Sequence, residues 1–186
     1  MPIEYWNPVP IYYSDVNRNQ FLDIQNEINQ NILPQMFSII EWKDNVQTTL
    51  SYSTNIVKDL KLEEIEKLIN YHTEQFLYGI NLHKDYVLFS SWFNKLPKFG
   101  YQSLHVHTPK NDPWTSKIFS GVYYYEETSV DMEPLIFHVK NDVSKDTISY
   151  NYIPGRIFLF SGLLPHEVKF NKNDEVRKSF SFNISI

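Results

Sequence analysis

Two stretches in the first half of the chain repeat apolar residues with helical spacing. Residues 15–33 carry apolar side chains at intervals of three and four, and Pro34 follows them. Residues 61–78 show the same periodicity and are followed by Gly79. Intervals of three and four place side chains on one face of a helix, and proline or glycine commonly ends a helix. Both stretches are therefore predicted to be amphipathic helices.

The pattern changes from helical to strand-like at about residue 86. Short segments rich in β-branched and aromatic residues now recur, separated by Pro, Gly, Asn and Asp. The predicted strands are 37–41 and 46–52 in the first half, and 86–93, 101–107, 117–126, 134–139, 146–152, 156–161, 166–170 and 177–185 in the second. So many short strands favour a sandwich or barrel over a parallel α/β sheet. We predict one domain, mainly β, in which residues 1–85 pack helices on the outside of a β core formed by residues 86–186.

The last predicted strand, 177–185, has two different faces. Its polar face consists of Arg177, Ser179, Ser181, Asn183 and Ser185. The opposite face is largely aromatic and aliphatic. A half-buried strand normally turns its polar face to water, but the same pattern fits a strand whose polar face lines an interior cavity. The alternation alone leaves both orientations open.

Composition narrows the classes of function. The chain has 186 residues, a net charge of −5 and no cysteine, which excludes disulfides and thiolate metal sites. The acidic net charge and the lack of a basic run argue against a duplex nucleic-acid partner. The phosphate-binding motifs GxGxxG and GxxxxGK[ST] do not occur. No membrane-spanning run or signal peptide is apparent in the sequence, so we predict a cytoplasmic protein without a membrane partner.

The candidate chemistry lies in the β half. His105 and His107 are two residues apart on a predicted strand, and residues with that spacing share a face together with Ser103. With His166 from a distant strand, three imidazoles could hold a transition metal. Arg177 offers a planar fork that matches a carboxylate. The remaining histidines are not expected to be ligands; they are His72, on the inward face of the second helix, His83, in a polar loop, and His138.

Four segments of the chain carry a family resemblance. They are SWFNKLPKFGYQSLHVHTPKNDPW, KIFSGVYYYEE, IPGRIFLFSGLLPHEV and VRKSFSFNISI. With them, residues 86–186 resemble the 2-oxoglutarate- and iron(II)-dependent oxygenases, and most of all a small branch found in bacteria and their phages. The resemblance implies a double-stranded β-helix, or jelly roll, with iron between its two sheets.

The resemblance also implies roles for individual residues. His105 and His166 match the first and the distal iron-binding histidines of the superfamily. Arg177 matches the arginine that forms a salt bridge with the far carboxylate of 2-oxoglutarate, and Ser179 matches its hydroxyl companion.

The roles of further residues follow less directly from the resemblance. Tyr123 or Tyr125 would hydrogen-bond the co-substrate, and Asn94 would contact the co-substrate or the substrate. The sequence departs from the superfamily pattern at position 107, where a carboxylate is usual and this chain has histidine. Either His107 is the third metal ligand, or a nearby carboxylate such as Asp112 completes the site. Imidazole suits iron, zinc and copper alike, so the identity of the metal also stays open.

The predicted function is therefore a non-haem iron oxygenase. It would use O₂ to couple oxidative decarboxylation of 2-oxoglutarate to hydroxylation of an unknown small-molecule or protein substrate. One alternative is a three-histidine, cupin-like metalloenzyme, or a zinc hydrolase, that does not use 2-oxoglutarate. Another is a non-enzymatic β-sandwich, either a binding module or a phage structural component. A phage-encoded protein would act in the host cytoplasm, and the aromatic-rich strands leave room for a homodimer.

Overall fold

The structure is a computed structural model that describes residues 3–6, 9–39, 45–107, 118–140 and 145–186. The helices are α1 (Arg18–Asn31), α2 (Ile56–Leu60) and α3 (Glu63–Gly79), with a 3-10 turn at Pro34–Met36. The strands are β1 (Ile3–Trp6), β2 (Val9–Asp15), β3 (Ser38–Ile39), β4 (Gln47–Thr48), β5 (Val87–Leu96), β6 (Gln102–His105), β7 (Ile118–Tyr123), β8 (Leu135–Lys140), β9 (Lys145–Tyr150), β10 (Arg156–Ser161), β11 (His166–Val168) and β12 (Arg177–Ser185). None of these helices combines the length and the apolar character that a membrane crossing requires.

The strands form two antiparallel sheets that face each other. The major sheet has the order β1-β2-β10-β7-β12-β5-β4-β3, and the minor sheet has the order β6-β11-β8-β9. Apolar side chains of both sheets, such as Phe137 on β8 and Phe160 on β10, form one core between them. A second core lies between the outer face of the major sheet and the helices, where Ile24 of α1 and Phe76 of α3 are buried. The helices are thus outside the two-sheet body, as predicted.

Strand β12 lies at the centre of the major sheet, between β5 and β7. Phe180 and Phe182 belong to the core under the helices. Arg177, Ser181 and Asn183 are buried on the other face and line a cavity between the sheets. The structure therefore selects the second of the two orientations that the sequence left open. Helices cover one face of β12 and the minor sheet covers the other, so most of its side chains are buried.

All eight strands predicted in the second half are present, with ends that differ by a few residues. The sequence analysis missed β1, β2 and α2. It also began the first helix too early, because Asp15 belongs to β2 and the helix begins after Asn17. The Asn17 side chain accepts a hydrogen bond from the backbone N–H of Gln20, which satisfies one of the free donors at the helix start. Of the strand predicted at 37–41, Ser38–Ile39 form β3, while residues 40 and 41 lie outside the described residues; β4 is shorter than predicted.

His72 is a buried histidine in the core under the helices. Its Nδ1 lies 2.7 Å from the hydroxyl oxygen of Tyr12 on β2. Burial lowers the pKa of His72 from 6.5 to about 4, because the charged imidazolium would be poorly solvated there. His72 is therefore neutral in the folded protein at pH 7 and stabilises the contact of α3 with the sheet.

The buried His72 should make the metal-free protein less stable in mild acid. The unfolded chain takes up a proton near pH 6.5, whereas the folded chain does so only near pH 4, so stability is complete above pH 6.5 and falls as the pH drops through this window. From pH 7 to pH 5 we expect His72 to lower the free energy of unfolding by about 2 kcal/mol. Urea unfolding of the wild type and His72→Gln at both values measures this contribution. The difference in the free energy of unfolding between the two proteins should be smaller at pH 5 than at pH 7. An unchanged difference would contradict the prediction.

Candidate metal centre

Three histidines converge between the ends of β6 and β11. His105 is the last residue of β6 and pairs directly with His166, the first residue of β11. His107 lies two residues beyond β6, and its backbone N–H donates to the carbonyl of Gly162 at 3.0 Å. One ring nitrogen from each histidine lies within 4.8 Å of the others. The sheet pairing thus brings together residues that are 59 to 61 positions apart in the chain.

Hydrogen bonds to backbone carbonyls fix the Nδ1 atoms of two of these rings. The Nδ1 of His105 lies 2.7 Å from the carbonyl of Ser103, and the Nδ1 of His166 lies 2.9 Å from the carbonyl of Leu164. A carbonyl only accepts hydrogen bonds, so Nδ1 carries the hydrogen and Nε2 keeps a free lone pair. The Nε2 atoms of His107 and His166 are 3.1 Å apart. Two ligands of one ion with bonds of about 2.1 Å can have this separation, so the set fits a metal ion.

The protonation states of these rings favour metal binding. Burial, with a smaller effect from the charge of His105, lowers the pKa of His107 to about 4, and a hydrogen bond with Asn183 opposes the shift. Burial and the neighbouring histidines also lower the pKa of His166 well below 6.5. Both imidazoles are therefore neutral at pH 7, which is the form that binds a metal.

Arg177 presents a buried positive charge to the same cavity. Its side chain is only 1% exposed. Its Nη2 donates to the hydroxyl oxygen of Tyr124 at 3.1 Å and its Nε donates to the carbonyl of Glu133 at 3.3 Å. The guanidinium lies over the rings of Tyr124 and Tyr152, 5.0 and 5.5 Å from their centres. Within the described ranges, no carboxylate forms an ion pair with Arg177. A buried charge without a counter-charge is costly, so this position is suited to an anionic ligand.

One cavity of ≈ 300 Å³ contains the three histidines and Arg177 in its lining. Its apolar walls include Val122, Leu135 and Val168, and Trp92 also faces it. A cavity of this size is at the small end of the range for small-molecule sites. The arrangement can bind a metal ion and a small anion side by side.

Asn94 and Ser179 lie beside this cavity rather than in its lining. They are buried and directly opposite each other on β5 and β12. The Nδ2 of Asn94 donates to the Oγ of Ser181 at 3.2 Å, and Ser181 does line the cavity. Asn94 therefore acts on the cavity through Ser181, and a direct contact of Asn94 or Ser179 with a ligand stays a prediction.

Tyr123 and Tyr125 lie on the helix-covered side of the major sheet, and their contact with the co-substrate stays a prediction. Both pack in the core under the helices, together with Phe180. The tyrosine that contacts Arg177 is Tyr124, which the sequence analysis did not select. Val122, which lines the cavity, and Tyr124 are two positions apart and belong to the same core cluster, as strand alternation requires. In the sequence, three consecutive tyrosines look alike unless the inner face of the strand is known.

Two further predictions concern the segment around the histidines. Ser103 was expected to share a face with His105, but it is exposed, and Gln102 lines the cavity instead. The irregular pairing of β6 with β11 explains this, because a bulge interrupts the two-residue alternation between these positions. Asp112 lies outside the described residues.

The other histidines are separate from the cluster, as predicted. His72 is buried under the helices and His83 is exposed. His138 pairs with Glu167 at 3.0 Å.

A family model shows the family of the chain, and solved structures show its fold. Residues 90–183 match the family described as Putative 2OG-Fe(II) oxygenase. Among solved structures, a prolyl-4-hydroxylase from Pseudomonas putida is similar with a TM-score of 0.68 at 14% identity, over 94% of this chain and 91% of that chain. A prolyl hydroxylase from Trichoplax adhaerens, in complex with a peptide of hypoxia inducible factor, gives 0.67 at 11% identity, over 94% and 83%.

A third similar structure contains both of the expected ligands. The epimerase SnoN, in complex with Fe³⁺, α-ketoglutarate and nogalamycin RO, gives a TM-score of 0.66 at 9% identity, over 94% of this chain and 78% of that chain. A comparison with curated proteins found no match. The fold is the double-stranded β-helix that the sequence analysis predicted, with flanking helices.

Proposed function

Because the chain belongs to the 2OG-Fe(II) oxygenase family and so works with iron(II) and 2-oxoglutarate, we propose that it is a hydroxylase. It couples oxidative decarboxylation of 2-oxoglutarate to hydroxylation of a substrate C–H bond. In the balanced reaction, 2-oxoglutarate, O₂ and the C–H substrate give succinate, CO₂ and the alcohol. One oxygen atom of O₂ enters succinate and the other enters the product.

A single observation carries this proposal. One cavity has three converging imidazoles in its wall and, in the same wall, a buried arginine without a counter-charge among the described residues. 2-Oxoglutarate has a keto acid at one end, which chelates a metal, and a second carboxylate at the other. The keto-acid end fits beside His105, His107 and His166, and the far carboxylate fits on the guanidinium of Arg177.

The residues of the chain have separate tasks in this proposal. The three histidines would hold the iron. Bound iron supplies the activation of O₂ that this chemistry needs. Arg177 selects and orients the dicarboxylate, and its N–H bond to the Tyr124 oxygen leaves the Tyr124 O–H free to donate to the same carboxylate. The apolar walls Val122 and Leu135 keep water away from the reacting groups.

An anaerobic titration tests the proposal. The metal-free protein is mixed with Fe(II) and then with 2-oxoglutarate, and the visible metal-to-ligand charge-transfer band of the chelate is monitored. We expect the band to appear and to be followed by succinate formation when O₂ is admitted. Metal binding without the band would instead support a three-histidine metalloenzyme that does not use 2-oxoglutarate. If no metal binds, the oxygenase proposal is wrong.

The same titration separates the two hypotheses for the third ligand. If His107 is the ligand, His107→Ala should weaken Fe(II) binding by at least about tenfold, and Asp112→Asn should leave it unchanged. The opposite result would favour the carboxylate at position 112.

Tyr124 and Tyr123 provide a matched pair for the co-substrate site. Tyr124→Phe removes the hydroxyl that contacts Arg177, so the dissociation constant of 2-oxoglutarate should rise about tenfold, which corresponds to one lost hydrogen bond to a charged group. Tyr123 is equally buried, but its hydroxyl has no hydrogen-bond partner among the described residues. Tyr123→Phe should therefore leave 2-oxoglutarate binding unchanged and should not lower stability. Equal effects of the two variants on binding would contradict the assignment of Tyr124.

A further inference from the structure

The three histidines differ in what holds their rings. His105 and His166 each bond a nearby backbone carbonyl through Nδ1, as described above. Within the described part of the chain, no backbone carbonyl is bonded to the ring of His107. Ligating histidines generally need a partner that fixes the ring orientation. Among the described residues, two side chains support the ring of His107: Asn183 forms a hydrogen bond with it, and Trp92 stacks on it.

Trp92 covers one face of the His107 ring. Its indole stacks on the imidazole of His107, with ring centres 5.7 Å apart and an angle of 28° between the planes. Trp92 comes from β5 and pairs in the sheet with Ser181 of β12, so its backbone lies within the major sheet. The stacked indole restricts rotation of the imidazole about its χ2 angle. Rotation would turn Nε2 away from the Nε2 of His166, which now lies 3.1 Å away.

Asn183 supports the same ring from the neighbouring strand. Its Oδ1 accepts from the hydroxyl of Ser120 at 2.7 Å, and its Nδ2 donates to the hydroxyl of Ser90 at 2.9 Å. The amide is therefore fixed in the cavity wall close to His107. The orientation of His107 thus depends on side chains of the major sheet, whereas the other two histidines are held by the backbone of their own segments.

We propose that Trp92 is the positioning residue of the third metal ligand, holding the imidazole of His107 with Nε2 directed to the metal. This inference rests on the proposed metal centre. It assigns to Trp92 a task that is separate from any contact with substrate. Trp92 acts through His107, so its effect on metal affinity exists only while His107 is present.

The test measures metal binding alone, with Co(II) as the probe and no substrate. The absorption spectrum of bound Co(II) reports its coordination, and competition with a chelator gives its dissociation constant. Trp92→Leu keeps an apolar side chain but removes the flat ring, so Co(II) binding should weaken about 10- to 100-fold and the spectrum should change. Trp92→Phe keeps a stacking ring and should stay within about threefold of the wild type. Phe89→Leu, on the same strand but with an exposed side chain, is the control and should behave as the wild type.

A double-mutant cycle distinguishes positioning from a general structural effect. If Trp92 acts through His107, then adding Trp92→Leu to His107→Ala should not weaken Co(II) binding further. Independent losses that multiply would overturn the inference, as would wild-type affinity in Trp92→Leu. If Trp92→Leu does not fold, Trp92→Met serves in its place, and thermal unfolding of the metal-free variants verifies folding. A wild type that does not bind Co(II) would overturn the metal centre itself, which separates that failure from failure of the Trp92 assignment.

Discussion

Replacing His166 with alanine should abolish turnover of 2-oxoglutarate. His166 is 3% exposed, its Nδ1 is engaged by a backbone carbonyl, and its Nε2 faces the Nε2 of His107. The next residue of β11, Glu167, is already paired with His138 and Lys169. We expect Fe(II) affinity to fall at least about 100-fold and succinate formation to fall below detection. Anaerobic Fe(II) titration and a succinate assay measure both quantities.

A second histidine provides the control for this experiment. His83 is exposed and remote from the cluster, so His83→Ala should retain the Fe(II) affinity and the turnover of the wild type. Because His166 is buried, the unfolding transition of the metal-free His166→Ala protein must also be compared with that of the wild type. A folded His166→Ala protein that still forms succinate at the wild-type rate would show that the metal is elsewhere.

Replacing Arg177 with methionine should abolish selection of the dicarboxylate while leaving the metal site intact. The guanidinium is buried against the rings of Tyr124 and Tyr152 and has no carboxylate partner among the described residues. Its charge-assisted bonds to the far carboxylate should be worth about 3 kcal/mol, so the dissociation constant of 2-oxoglutarate should rise on the order of 100-fold. Fe(II) binding should change little. Removing an unpaired buried charge should also leave the metal-free protein as stable as the wild type or more stable.

Two controls test whether the effect of Arg177→Met is specific: a shorter keto acid and a substitution of a second arginine. Pyruvate has no far carboxylate, so Arg177→Met and the wild type should bind pyruvate with similar weak affinity. Arg156→Met is the matched control. Arg156 is the first residue of β10, and its guanidinium donates to both carboxylate oxygens of Asp15, at 2.7 and 2.8 Å. It should leave 2-oxoglutarate binding unchanged. If Arg177→Met bound 2-oxoglutarate as the wild type does, a different cation would have to hold the far carboxylate.

Several predictions from the sequence concern the protein as a whole rather than its metal site. The single-domain organisation, the cytoplasmic location, the origin in bacteria or phages, the use of O₂ and a homodimer remain predictions. The peptide in the complex of the Trichoplax adhaerens prolyl hydroxylase belongs to that protein. The choice between a protein and a small-molecule substrate remains a prediction for this chain.

Local alternation predicted most of the β architecture. Strands β5 to β12 were recognisable because β-branched and aromatic residues alternate with polar residues between turn-forming residues. The elements that were missed lack this signal: β2 contains Pro10, and α2 has only five residues, too few to show a helical period. The start of α1 was misplaced because Asp15 can cap a helix or end a strand, and pairing of β2 with β10 decides between them.

The sequence by itself determined the kind of chemistry. It specified three histidines and an arginine in a β-rich chain, because the residue types that bind metals and carboxylates can be recognised in the sequence itself. Only the tertiary structure decided which faces meet. The helices and the minor sheet bury both faces of β12, which turns Arg177 into the cavity, and the same packing selects Tyr124 over Tyr123 and Tyr125. Alternation defines two faces of a strand, but the partners that remove each face from water determine which one is inside.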